Sequence, residues 1–147
     1  MAPLDIRLIT STKDLDGTQY FELMPGAYRG RCWNEGSIFI DEEVFGFLEP
    51  IFECRVPAFN HYAFSQADST QCAKLASDLT QLAEQLDAAE SMRALRSQLG
   101  FVFTTSEARF LQDFLANKVA LAALARAVAT WIRVCADRDG GIAVLGI

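Results

Sequence analysis

A chain of 147 residues, 51% hydrophobic and 22% charged, has room for one domain with a real core and excludes a disordered tail or a fibrous repeat. Its formal charge of −6 and pI near 4.7 argue against a protein that binds by neutralising phosphates, so nucleic acid is not an expected ligand. Cys32, Cys54, Cys72 and Cys135 contain no CxxC pair among them, which excludes a zinc ribbon or a redox pair and predicts reduced, mostly buried thiols.

Residues 1–7 carry Asp5 and Arg7 where a secretory signal needs an apolar stretch, so the protein is expected to stay in the cytoplasm. Residues 4–9 and 19–23, with Asp16-Gly17 between them, predict a hairpin with a long connection. Residues 24–36 hold Pro25, Gly26, Gly30 and Gly36 with Arg29 and Arg31, the pattern of an irregular surface loop. Residues 37–40 predict a short buried strand, and Asp41 the cap of a helix in which Val44, Phe45, Leu48, Ile51 and Phe52 form a buried stripe. Pro50 is expected to kink or split that helix.

After a loop, residues 61–65 predict a short aromatic strand. Asp68 with Gln71 is a capping box, and Cys72, Leu75, Ala76, Leu79, Leu82, Ala83 and Leu86 then share one helix face. Residues 91–99 predict a short helix ended by Gly100. Thr104 with Glu107 predicts a second capping box before a final helical region with a break near 116–118 and a stripe of Leu121, Leu124, Ala125, Val128, Trp131, Ile132 and Cys135. Residues 114–136 are long enough to span a bilayer, but Lys118, Arg126 and Arg133 interrupt them, so a core helix is expected and no membrane partner. Residues 142–145 are apolar throughout and predict an interior strand. The expectation is a single α+β domain over residues 1–147, with a small mixed sheet from strands near 4–9, 19–23, 37–40, 61–65 and 142–146 under three or four helices.

His61 is the only histidine, which removes multi-histidine metal sites and leaves one histidine base for a Ser or Cys nucleophile. The glycines of residues 26–30 are not followed by Gly-Lys-Ser/Thr, so no phosphate-cradling loop is expected. Asp41, Glu42, Glu43, Glu49 and Glu53 lie along a helix with no calcium-loop spacing and read as a solvated face, so neither a metal nor a cofactor is expected. Charge is unevenly shared along the chain: residues 1–90 hold 15 acids and 6 bases, net −9, and residues 91–147 hold 4 acids and 7 bases, net +3. An acidic face of this kind suits a basic partner and speeds encounter with it. Asp41, Glu42, Glu43 and Glu49 are the candidate partner-binding residues, and reversing Glu42, Glu43 and Glu49 to Lys together is expected to slow association while leaving the fold intact. The loop of residues 24–36 is the second candidate surface.

Three stretches carry a resemblance: SIFIDEEVFGFLEPIFE at residues 37–53, FNHYAFS at 59–65 with DSTQCAKLASDLTQLAEQL at 68–86, and a Trp131 helix leading through ADRDGG into IAVLGI. In this order they are similar to the small bacterial immunity proteins that neutralise polymorphic or contact-dependent toxins. The resemblance implies a non-catalytic inhibitor that binds a cognate toxin domain directly, with a basic nuclease-type toxin suiting the acidic face. Because the shared positions are mostly core-forming, it carries over no binding residue. Two alternatives stand beside it: a thiol enzyme using Cys54 or another cysteine with His61, and a structural or assembly subunit.

Overall fold

A computed structural model describes residues 2–147, with the elements β1 (Tyr20–Pro25), β2 (Ile38–Asp41), α1 (Glu42–Arg55), β3 (Phe64–Asp68), α2 (Ser69–Ala88), α3 (Ser106–Gln112), α4 (Phe114–Asp139) and β4 (Gly141–Leu145). The strands form one sheet in the order β2-β1-β4-β3, and the domain is α+β. Every pair is antiparallel, where a mixed sheet was expected. The helices explain this: Asp68, where α2 begins, lies opposite Gly141, just past the end of α4, so the two helices run side by side in opposite directions and return β4 antiparallel to β3.

One face of the sheet, with Phe21, Leu23, Ile38, Ile40, Ala67, Ile142 and Val144, packs into the main core with α1, α2 and α4. The other face carries Met24, Ala143 and Leu145, packed under Tyr28 and Cys32 of the connection between β1 and β2. β4 is therefore buried at all five positions, as its unbroken apolar run predicts. The expected hairpin of residues 4–9 with 19–23 does not form. Both edges of β1 are taken by β2 and β4, and only Ile9 of the first stretch joins the sheet, exchanging bonds of 3.0 and 2.8 Å with Phe39 on the outer edge of β2.

Asp41 caps α1 by accepting from the amides of Glu43 and Val44, and Asp68 with Gln71 closes the capping box of α2. α1 runs unbroken through Pro50. A proline donates no amide proton to the carbonyl four residues before it, here Gly46, and Gly100 lies against that carbonyl so closely that a Cβ would stand 2.3 Å from its oxygen. The Gly100 amide donates to the next carbonyl, Phe47, at 3.2 Å. The short helix expected at 91–99 is reduced to a 3-10 turn, Met92–Ala94. The Thr104 and Glu107 box is absent: Thr105 precedes α3 without a side-chain cap, and the Phe103 amide donates to Ser106 Oγ instead. The break in the last helical region falls at Asp113 rather than at 116–118. α4 is long and apolar enough by length and composition to cross a membrane, and here Leu121, Leu124, Ala125, Val128 and Ile132 bury its inner face in the core alongside α2.

Candidate functional site

The acids of α1 do not line up as a solvated row, because α1 is covered on two sides. Phe45 stacks on Phe21 of β1 at 3.8 Å, while Phe47 meets the ring edges of Phe101 and Phe110, brought over the opposite side by residues 99–110. Of the four candidate residues, only Asp41 is exposed. Glu43 is buried, accepts from Ser106 Oγ at 2.8 Å and forms an ion pair with Arg109, whose guanidinium also donates to the carbonyls of Ala2 and Pro3. Glu42 and Glu49, two turns apart on the same side, both bind His61: Nε2 lies 2.6 Å from Glu42 and Nδ1 2.5 Å from Glu49.

His61 is half-buried, its ring edge-on to Phe21 at 4.9 Å. It lies in a turn before β3 rather than in the strand. Burial pulls the imidazolium pKa down, but the hydrogen bonds and charges of Glu42 and Glu49 together outweigh it and hold the pKa above 6.5. Burial raises the Glu49 carboxyl above 4.5, with His61 opposing and the nearby Glu53 and Glu42 adding to the rise. Asp41, Glu42 and Glu43 also line a cleft of about 310 Å³ between residues 3–9 and the approach to α3, together with Asp5, Arg7 and Arg109. Four carboxylates against two guanidinium groups leave this cleft with a net charge of −2. Arg7 is held by Asp5, Arg109 by Glu43 and Glu42 by His61, which leaves Asp41, one of whose oxygens caps α1, as the exposed carboxylate of the cleft without a cation partner among the described residues.

No family model, curated protein or solved structure matches this chain.

The second candidate surface is anchored by a residue that the sequence reading passed over. Glu22 of β1 is 2% exposed and accepts four hydrogen bonds from the loop above it: Trp33 N at 2.5 Å, Asn34 N at 3.0 Å, Asn34 Nδ2 at 2.9 Å and Ser37 Oγ at 2.6 Å. All four donors are neutral. They hold Trp33 in a left-handed conformation, φ 65°, with its ring stacked over Phe39 and 40% exposed. The second Asn34 amide proton goes to the Arg31 carbonyl at 2.8 Å, so turning the amide over would set its oxygen against two acceptors. The sequence signal was a carboxylate between Phe21 and Leu23 in a strand that is otherwise apolar.

The thiols divide by place. Cys72 and Cys135 are buried, and burial pushes the Cys72 thiol up to about 11 and raises Cys135 as well. Cys32 is half-buried and raised by burial and by the charge of Glu22. Cys54 is exposed on a groove lined with Asp78, Gln81, Gln85 and Ser97, and His61 is not in that lining, so two of the four thiols are buried where most were expected to be.

Proposed function

We propose that this chain is a cytoplasmic binding protein without chemistry of its own, which neutralises a cognate bacterial toxin domain by direct contact, as immunity proteins do. The observation that supports this reading best is the net-negative cleft at the start of α1, with Asp41 open at its mouth. Its walls come from residues 3–9, the β2–α1 junction and Phe103 with Arg109, so it is a built feature of the fold. A Lys or Arg side chain of a basic toxin finds there a carboxylate not already held by a guanidinium. His61, the base that a thiol enzyme would use, has both ring nitrogens occupied by carboxylates.

The test uses the purified chain and a basic toxin-like domain sought in the reading frames that neighbour its own, and the absence of any such frame counts against the reading. Wild type is expected to protect cells from that domain, and its association rate is expected to fall with salt. Asp41→Asn keeps a side-chain oxygen to cap α1 and removes the charge, so it leaves the melting temperature nearly unchanged and slows association about two- to fivefold. A wild-type chain that neither binds nor protects would remove the reading. An Asp41→Asn variant with unchanged rate and salt slope would move the contact to the Glu22-anchored loop.

A further inference from the structure

The three groups Glu42, His61 and Glu49 require a fixed number of protons. A contact of 2.5 or 2.6 Å between a ring nitrogen and a carboxylate oxygen is attractive only with a proton between them, and His61 makes one such contact through each nitrogen. The cluster therefore holds two protons, as an imidazolium between two carboxylates or as a neutral imidazole between one carboxylate and one carboxylic acid. Removing one leaves a nitrogen lone pair against a carboxylate oxygen, and that contact must open.

What the cluster holds is a discrete piece of structure. Residues 60–63 form a tight turn, with the Ala63 amide on the Asn60 carbonyl at 3.1 Å and the Tyr62 amide on Asn60 Oδ1 at 2.8 Å. The turn carries the end of the chain described here: the Ile147 amide donates to the His61 carbonyl at 3.0 Å and the Gly146 amide to the Ala63 carbonyl at 3.1 Å. Gly146 lies so close that a Cβ would stand 2.4 Å from the His61 oxygen, so the turn and residues 146–147 move together. Tyr62, 74% exposed with its ring 4.8 Å from that of His61, rides on the same turn.

We propose that Glu42, His61 and Glu49 form a two-proton latch that holds residues 60–63 and 146–147 against α1 at low pH and releases them as the pH rises. The ionisable groups around it are Glu42, Glu49 and Glu53 from α1 and Tyr62 from the turn itself, while Phe21 of β1 and the neighbouring Phe59 contribute only apolar rings. Glu42 also borders the cleft that holds Asp5, Asp41, Glu43, Arg7 and Arg109, but Arg7 is paired with Asp5 and Arg109 with Glu43, so among the described residues no unpaired cation stands there to replace the lost proton. The sign follows from proton uptake. A histidine whose pKa is raised on folding stabilises the closed form fully below 6.5 and loses that contribution as the pH climbs through the raised value. Glu49, also raised, acts in the same direction from 4.5 upward. Opening uncovers Glu42 and Glu49, so the latch also controls when these two carboxylates are free to meet a partner's cation. The latch itself does not depend on the binding reading.

Amide hydrogen exchange on the purified chain tests the latch without any partner. The Gly146 and Ile147 amides are expected to lose protection as the pH is raised, the opening constant growing by up to about tenfold per pH unit above the His61 pKa. The core amides of β1 and β4 serve as an internal reference for the intrinsic rise in exchange. Glu49→Gln can donate its amide proton to a neutral ring nitrogen, so it should keep the turn closed at high pH, and His61→Gln should remove the pH dependence. Constant protection of Gly146 and Ile147 across the range in wild type would overturn the proposal. So would a Glu49→Gln variant that opens with the same pH profile as wild type.

Discussion

Replacing Glu22 by alanine is expected to lower the stability of the domain by about 4 kcal/mol and to loosen residues 26–37 ahead of the rest of the fold. The substitution strands the amides of Trp33 and Asn34, the Asn34 side-chain amide and the Ser37 hydroxyl above a sheet face that water does not reach. The loss is smaller than four separate bonds because Ser37 can rotate and the Trp33 amide lies closer to solvent. Glu22→Gln should cost less, about 2 kcal/mol, since it keeps one oxygen as acceptor and turns a donor toward donors with the other arm. Denaturant melts of both variants give the ordering, and hydrogen exchange at Asn34 reports the loop. An alanine variant within about 1 kcal/mol of wild type would show that the loop stands without its anchor.

The largest effect is expected at Glu43. Its replacement by lysine sets an ammonium beside the Arg109 guanidinium in a buried site and removes the acceptor of Ser106, at a cost of more than about 4 kcal/mol. Reversing Glu42, Glu43 and Glu49 together is then expected to remove the fold along with the acidic face, because Glu43 is buried and paired rather than solvated, contrary to the expectation drawn from sequence that such a variant stays folded. Glu53→Lys, on the exposed side of the same helix, should change stability by no more than about 0.5 kcal/mol. Circular dichroism melts of the single and triple variants check both statements, and a triple variant melting beside wild type would refute them.

Local rules read well where a segment makes its own contacts. The Asp41 cap, the Asp68 and Gln71 box and the Leu-spaced face of α2 depend on neighbours within a few residues, and each forms. The errors share a distant cause. Glu43 reads from sequence as a solvated residue because its partners, Ser106 and Arg109, lie 63 and 66 positions away, on a stretch whose own helix signal is weak. His61 was legible as a half-buried ring, yet nothing in the spacing of 42, 49 and 61 indicates that the turn folds back along two turns of helix. The capping box at Thr104 and Glu107 failed for a related reason: Ser106 satisfies the Phe103 amide while donating to Glu43, so a tertiary bond displaced a local one.

The place of β4 between β1 and β3 bears on how the chain folds. β1 and β3 share no hydrogen bonds, and the pairing of Glu22 with Leu145 closes a loop of more than a hundred residues. Closing so long a loop costs chain entropy before any ladder contact repays it, and sequence-distant pairing of this kind slows folding. Until residues 141–145 arrive, β2 with β1 and β3 with α2 are two fragments with open edges facing each other across a gap. Residues 141–145 thus fill a slot one strand wide, bordered by Leu23 and Met24 on one side and Ala67 on the other, and the sheet is continuous only once they are in place.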